Sequence, residues 1–239
     1  MEYFKMKYIN KLAALSIATA LSLTAVASHA ALIATDATFG SFDFSRGTRT
    51  LSIGTSATVN DVNISIDFAK CDDPAMQSGQ SSCASSGFEF PGETFLYLIS
   101  PTGTRVDLVW TYNTQPEGIE GGSTKAGGTY GNSNTGGVRI QVLFDDQAGS
   151  GVGDNMLTGS FRPEELLAAF NGENSLGDWI LGMGDSVGAD PLSYFSACLS
   201  INGAAGGCGT AAVPEPMSLA LLGLGLAGLG FSRRLVKKV

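Results

Sequence analysis

The sequence predicts an all-β domain, an antiparallel β-sandwich, at residues 31–212. Several short runs alternate apolar and polar residues with the period of two that half-buried strands show. Clusters of turn-forming residues separate these runs, and the chain contains 32 glycines. Long stretches of helical periodicity are scarce. Short strands joined by tight turns favour two packed antiparallel sheets over a helical or mixed fold.

The first 30 residues are predicted to be a secretory signal peptide. Three lysines precede an apolar segment at residues 12–26, and Ser28 and Ala30 flank His29. A basic start, an apolar segment and a small-x-small site are the three parts of such a peptide, so we expect cleavage after Ala30. The alternative is a retained N-terminal membrane helix.

Loss of this peptide removes the only histidine of the chain, His29. Ser-His-Asp and Cys-His nucleophilic machinery and His-ligated zinc both need that side chain. A carboxylate pair, as in glycoside hydrolysis, is the remaining catalytic alternative. Candidates such as Glu164 with Glu165 are adjacent, and neighbours along a strand point to opposite faces. We therefore expect a protein that is not an enzyme.

The charge of the predicted domain excludes one class of partner. Residues 31–213 contain 7 basic and 20 acidic side chains, a net charge of −13. A body this acidic repels nucleic acid and anionic lipid headgroups. We expect no nucleic-acid partner, whereas divalent cations could be attracted.

Six segments show the strand pattern most clearly. In the first of them, Val62, Ile64 and Ile66 lie on one face and polar residues on the other. The second and third are expected to form a hairpin around a Pro-Thr-Gly-Thr turn at residues 101–104. In the fifth, Trp179 alternates with apolar residues and is expected in the core. The segments are residues 59–68, 94–100, 105–110, 138–144, 179–183 and 194–201.

Two other segments have a distinct composition. Residues 163–170 begin with proline, continue with two acids and are followed by Gly172, which predicts a helical turn or two packed under the sandwich.

Residues 113–137 contain many glycines and almost no bulky apolar side chain. We expect that segment to be mobile or to form a binding edge.

Four cysteines lie in the part of the chain that is predicted to be exported: Cys71, Cys83, Cys198 and Cys208. An even number in an oxidising compartment indicates disulfides, and three connectivities are possible. The two local pairs, Cys71 with Cys83 and Cys198 with Cys208, are favoured. A metal site is the alternative, but the spacings do not match a thiolate knuckle.

An acidic loop at residues 145–154 is the first candidate for calcium, the one cofactor that the sequence makes possible. Asp145, Asp146 and Asp154 could supply hard oxygen ligands on a backbone able to wrap the ion. Asp185 with Asp190 is a further acidic group. No segment matches an EF-hand loop, and a solvated acidic turn is the alternative interpretation.

The C-terminal segment, residues 213–239, combines three features. Pro214, Glu215 and Pro216 precede residues 217–232, which carry no charge, and the basic residues that follow begin with Arg233 and Arg234. An apolar helix partitions into lipid and cations stay at the cytoplasmic headgroups. A simple tail anchor and a buried core helix are the alternatives, since 16 residues are fewer than the roughly 20 of a full span.

This combination resembles a PEP-CTERM sorting signal. The resemblance implies that an exosortase in the inner membrane of a Gram-negative bacterium is the processing partner. It also implies a membrane-held intermediate through the transmembrane helix at residues 217–232, and then the cell surface or the exopolysaccharide matrix as the destination. The recognised residues would be Pro214, Glu215 and Pro216.

A second resemblance covers residues 56–202. Several spaced motifs are similar to the P domain, or P/Homo B domain, of subtilisin-like proprotein convertases. They are an opening strand at residues 61–66, Ser-Pro-Thr-Gly-Thr after residues 98–99, Gly-Ser-Phe-Arg-Pro at 159–163, Gly-Asp-Trp-Ile-Leu at 177–181, and residues 192–201. The resemblance implies a galactose-binding-like jelly-roll β-sandwich, without the catalytic domain that such modules follow.

Together these observations predict an exported, non-catalytic protein of the surface or extracellular matrix. Its expected role is structural, adhesive or carbohydrate-binding within exopolysaccharide or biofilm. The alternative is a free-standing P domain that acts as an accessory to a separately encoded subtilisin-like protease.

Overall fold

The computed structural model describes residues 31–110, 137–153, 157–203 and 208. Within these residues the chain forms two β-sheets, one of six strands and one of four. In chain order the strands are β1 (Leu32–Asp36), β2 (Gly40–Phe42), β3 (Arg46–Ile53), β4 (Val62–Lys70), β5 (Thr94–Ile99), β6 (Arg105–Val109), β7 (Ile140–Phe144), β8 (Gly159–Phe161), β9 (Gly177–Asp185) and β10 (Leu192–Ile201).

The six-stranded sheet has the order β1-β10-β4-β7-β8, with β2 also paired to β10, and the four-stranded sheet has the order β3-β9-β5-β6. All pairs are antiparallel except β7 with β8, which is parallel. This pair departs from the antiparallel sandwich that the sequence predicts. The connection between the two strands, residues 145–158, is long enough to return the chain to the end from which β7 started.

The hydrophobic core lies between the two sheets. On β4, Ile64 and Ile66 are fully buried and pack in the same apolar cluster as Leu181 and Met183 of β9 in the other sheet. Trp179 is also fully buried. The alternating pattern of these strands therefore predicted the core face correctly, and the described residues confirm a mostly β architecture of two sheets.

The predicted hairpin is confirmed, with β5 and β6 paired on either side of the turn at residues 101–104. Four strands were not predicted: β1, β2, β3 and β8. In β3 only Leu51 and Ile53 are apolar side chains that reach the core. The other residues of β3 are glycine or polar, and the strand lies at the edge of its sheet. The apolar alternation is therefore too short to detect in the sequence.

The predicted helical segment at residues 163–170 forms a 3₁₀ turn only at Leu167–Phe170. The backbone N–H groups of Glu164 and Glu165 donate instead to carbonyl groups of β6, at Leu108 and Asp107. These bonds hold the first half of the segment against β6 in a non-helical conformation. The helical part is therefore shorter than the proline and acid pattern indicated.

Both predicted disulfides are present. Cys71 is bonded to Cys83 and Cys198 to Cys208, at sequence separations of 12 and 10. This pairing confirms the two local loops.

No helix in the described part of the chain is long and apolar enough to cross a membrane. The predicted signal peptide, the glycine-rich segment up to residue 136 and the predicted helix at residues 217–232 lie outside that part.

Candidate functional site

Two polar sites occupy opposite ends of the sandwich. β4 connects them, since it begins at Val62 beside one site and ends at Lys70 within the other. Its nine residues span roughly 30 Å at the usual rise per residue of a strand. We call the first site the polar cleft and the second the charge cluster.

The polar cleft is an open cavity of about 710 Å³ formed by the loop before β4 and the end of β10. Its lining consists mainly of hydroxyl, amide and carboxyl side chains and contains no aromatic ring. The residues of the cleft are Ser56, Ala57, Thr58, Asn60, Asp61, Asn202 and Gly203. Such a surface offers hydrogen-bond donors and acceptors rather than an apolar pocket.

Asn202 gives the polar cleft its shape. The residue follows β10 directly and has a positive φ of 55°, which asparagine tolerates better than most residues. Its Oδ1 accepts hydrogen bonds from the backbone N–H of Asn60 at 2.7 Å and of Asp61 at 3.3 Å. Its Nδ2 donates to the carbonyl oxygen of Thr58 at 2.8 Å. One side chain therefore fixes the loop against the end of the sheet.

Asp61 is the charged group of the cleft. Its Oδ2 accepts a hydrogen bond from Asn63 Nδ2 at 2.7 Å. Burial raises the pKa of the Asp61 carboxyl above its ordinary value, and the nearby charge of Asp145 raises it further, while the bond from Asn63 opposes both. The predicted calcium loop therefore begins close to the cleft.

Two of the predicted calcium ligands have hydrogen bonds of their own. Asp145 Oδ1 accepts from the backbone N–H of Gln147 at 2.8 Å. The two carboxylate oxygens of Asp146 accept from the backbone N–H groups of Leu167 and Ala168, at 2.9 and 2.8 Å, where the 3₁₀ turn begins. Asp154 lies outside the described residues, so calcium at this loop stays a prediction.

The charge cluster brings together four ionisable side chains that are distant in sequence. Lys70 ends β4, Asp185 ends β9, and Glu93 closes the 3₁₀ turn that leads into β5. Asp190 precedes β10 by two residues. Lys70 and Asp185 are fully buried, while Glu93 and Asp190 retain only 3% and 4% of their exposed surface.

The Lys70 ammonium group lies at the centre of the charge cluster. Its Nζ is 2.9 Å from Asp185 Oδ2, 3.2 Å from Asp190 Oδ2 and 3.6 Å from Glu93 Oε2. The same Nζ donates to the backbone carbonyl of Asp190. The buried ammonium group at the end of β4 thus contacts the end of β9, the turn before β5 and the loop before β10. Because these groups lie in a medium of low dielectric constant, their charges interact strongly.

Three carboxyl groups outnumber one ammonium group in this cluster, and the pKa values of Asp185 and Asp190 are raised. Burial raises the pKa of the Asp185 carboxyl to about 6, and the charge of Lys70 opposes that shift. Burial also raises the pKa of Asp190, and a hydrogen bond with the Glu93 carboxyl raises it further.

The sequence analysis did not find Lys70 or Glu93, although it noted Asp185 with Asp190 as an acidic group. A signal was present in the strand patterns. Lys70 continues the buried alternation of Ile66 and Phe68, and Asp185 continues that of Leu181 and Met183. A charged residue at the end of a buried face requires a partner of opposite charge.

The described part of the chain belongs to the class of two-sheet β proteins and has two local disulfides. Comparison with known protein families adds a finding about the C-terminal segment. Residues 212–234 match the PEP-CTERM protein-sorting motif. The match includes Pro214, Glu215, Pro216, Arg233 and Arg234, which lie outside the described residues, and confirms the predicted sorting signal.

The motif implies a surface protein that is exported and sorted by an exosortase, with transient anchoring in the membrane before release. No curated protein matches the chain. Neither comparison supports the resemblance to the P/Homo B domain, and the jelly-roll connectivity that it implies also stays a prediction.

Proposed function

We propose that this protein is a non-catalytic component of the surface or extracellular matrix of a Gram-negative bacterium, where it binds exopolysaccharide in a structural or adhesive role. The polar cleft is the observation on which this proposal depends. The sorting motif at residues 212–234 supports the location, because it implies release at the surface.

The chemistry of the polar cleft suits a hydroxyl-rich ligand. Sugar hydroxyl groups both donate and accept hydrogen bonds, and the amide group of Asn60 and the hydroxyl groups of Ser56 and Thr58 do the same. Asp61 adds an acceptor that forms a stronger, charge-assisted bond when it is ionised. A cleft open along one side also accepts an internal segment of a long chain, which a closed pocket would not.

Replacing Asn60 by alanine should weaken binding to the polysaccharide of the producing bacterium by about 5- to 10-fold, because one or two hydrogen bonds to the sugar are lost. Asn60 is exposed, and its Nδ2 donates to the carbonyl oxygen of Thr58 at 3.2 Å. Loss of an exposed hydrogen bond should leave the fold intact. Isothermal titration of the exported protein with size-fractionated exopolysaccharide measures the change.

Gln141→Ala is the matched control, because Gln141 is an exposed amide on β7 that does not line the polar cleft. It should bind as the unmodified protein does. Equal affinity of the Asn60→Ala variant and the unmodified protein would remove the cleft as the binding site. Absence of any binding by the unmodified protein would overturn the proposed function itself.

The tail gives a second prediction. Mass spectrometry of the protein isolated from the surface fraction should find no peptide from residues 217–232, because exosortase processing near Pro214–Pro216 removes the apolar segment. In a strain that lacks the exosortase, the intact tail should remain in the membrane fraction. Recovery of the full tail in the surface fraction of the normal strain would contradict the sorting interpretation.

The second candidate function is that of a free-standing P domain that stabilises a separately encoded subtilisin-like protease. It rests on the motifs at residues 56–202. Co-purification with such a protease, together with a loss of that protease's activity when this gene is deleted, would favour it over the binding of polysaccharide.

A further inference from the structure

We infer that the polar cleft takes a polysaccharide whose sugars carry free amino groups, with the carboxylate of Asp61 as the group that binds a sugar ammonium. The inference rests on the proposed function, because it assigns the substrate class of the same cleft. A free amino group on a sugar is largely protonated at neutral pH, so such a polysaccharide is cationic. Neutral polysaccharides should bind less tightly, and anionic ones least of all.

The charge of the polar cleft is not balanced by any cation of its lining. Asp61 is the one charged residue among those that line the cleft, and no lining residue is basic. No ion pair among the described residues includes Asp61. The arginines at positions 49, 105 and 139 pair instead with other carboxylates, those of Asp36, Asp107 and Asp67. The Asp61 carboxylate is therefore left for a cation that a ligand brings.

Further negative charge acts on Asp61. Burial raises the pKa of its carboxyl group, and the charges of Asp145 and Asp146 raise it further. Residues 31–213 as a whole carry a net charge of −13. A potential of this sign attracts cationic ligands and repels anionic ones. A sugar ammonium at Asp61 lowers the electrostatic energy of these neighbouring carboxylates, whereas a sugar carboxylate would raise it.

The hydrogen-bond donors around Asp61 are already in use within the protein. The backbone N–H groups of Asn60 and Asp61 both donate to Asn202 Oδ1. The side chains of Asn60 and Asn202 each donate one N–H to the carbonyl oxygen of Thr58, at 3.2 and 2.8 Å. An anionic sugar group is bound best by free N–H donors. This part of the cleft is therefore poorly suited to a carboxylate or a sulfate group.

Asn63, behind Asp61, leaves an acceptor unused. Its Nδ2 donates to Asp61 Oδ2 at 2.7 Å and reaches the carbonyl oxygen of Gly203 at 3.4 Å. The residue is 1% exposed, and its Oδ1 has no hydrogen-bond partner among the described residues. Acceptors therefore exceed free donors at the base of the cleft. An ammonium group brings three donors and no acceptor, which complements this imbalance.

Titration with three oligosaccharides of equal length and the same linkage tests the inference. Their sugars are glucosamine, glucose and glucuronic acid, so they differ in charge more than in shape. In isothermal titration the exported protein should bind the glucosamine oligomer about 10-fold more tightly than the glucose oligomer, because a charge-assisted bond replaces a neutral one. The glucuronic acid oligomer should bind more weakly than either. Added salt should reduce the preference for glucosamine, because it screens the charges.

Asp61→Asn locates the charge that the ligand reads. Asparagine has the size of aspartate, and its amide oxygen can still accept the hydrogen bond from Asn63, so the variant should fold. In this variant the preference for glucosamine over glucose should fall below about 2-fold, since the remaining charges are more distant and screened.

Asp43→Asn is the matched control, because it changes the net charge equally at the opposite end of the sandwich. Asp43 is exposed, and its Oδ1 accepts a hydrogen bond from the backbone N–H of Ala189, next to the charge cluster. This variant should keep the full preference for glucosamine.

Three results would overturn the inference. Equal affinity of the unmodified protein for the glucosamine and glucose oligomers would do so, and it would leave the proposed function standing, since neutral sugars would still bind. A preference that persists in Asp61→Asn would place the recognised charge elsewhere. Binding of none of the oligomers would also overturn it, and the titration with the polysaccharide of the producing bacterium would then decide the proposed function separately.

Discussion

Replacing Lys70 by methionine should destabilise the protein by about 3–5 kcal/mol in calcium-free buffer. Methionine is close to lysine in length and apolar, so the loss reports the removal of charge rather than a cavity. Three carboxyl groups would then remain in the buried cluster without the ammonium group that lies 2.9 Å from Asp185 and 3.2 Å from Asp190. Urea denaturation followed by circular dichroism measures the change.

Arg46→Met is the control for net charge. Arg46 is exposed at the start of β3, at the same end of the sandwich, and its replacement should change stability by less than about 0.5 kcal/mol. The double variant Lys70→Met with Asp185→Asn should recover more than half of the loss, since it removes both members of the closest pair. If the losses of stability in Lys70→Met and Asp185→Asn simply add in the double variant, the Lys70–Asp185 ion pair does not account for the stability of this end of the sandwich.

Trp179→Ala should cost about 3–5 kcal/mol by the same measurement. Trp179 is fully buried in the apolar cluster between the sheets. Its ring packs edge-on against Phe170 with centroids 5.0 Å apart, and its Nε1 donates to the carbonyl oxygen of Ser175 at 3.0 Å. Alanine leaves a cavity there and deprives that carbonyl of its donor.

Leu176→Ala, three residues away, removes an apolar side chain that is 49% exposed, and it should cost under about 1 kcal/mol. Trp179→Phe should fall between the two, because it keeps most of the ring and loses the hydrogen bond. A Trp179→Ala variant as stable as Leu176→Ala would mean that the sheets do not pack around this residue. Domains are stable by only about 5–15 kcal/mol, so a full loss would bring the protein near unfolding.

The sequence predicted strands best where burial of one face requires apolar residues at regular positions along the strand. β4, the β5–β6 hairpin, β9 and β10 were all predicted, because each alternates or runs apolar over many residues and ends at recognisable turns. β1 and β3 were missed for the opposite reason, since both lie at sheet edges and carry few core-facing side chains. The disulfide pairing was predicted from short spacing alone, which works when partners are local.

The charge cluster could not be found from spacing, because Lys70 and Asp190 are 120 residues apart. Only the pairing of β4 with β10, in the register that sets Lys70 opposite Leu192, brings them together. The polar cleft could not be found from spacing either, since Asn60 precedes β4 and Asn202 follows β10, and the two residues meet only through the pairing of these strands. Local patterns predict which residues face the core but not which distant residues become neighbours.

The Cys198–Cys208 disulfide has a mechanical consequence for a protein sorted by its tail. Tension applied beyond residue 208 passes through the bond to Cys198, within β10, and does not reach the strand at its last residue, Ile201. Cys198 is flanked by Thr35 of β1 and by Ser65 of β4. A pull from the C-terminal side therefore cannot peel β10 away one hydrogen bond at a time from its end. The load instead enters β10 where the strand is paired on both sides, so hydrogen bonds to β1 and to β4 share it.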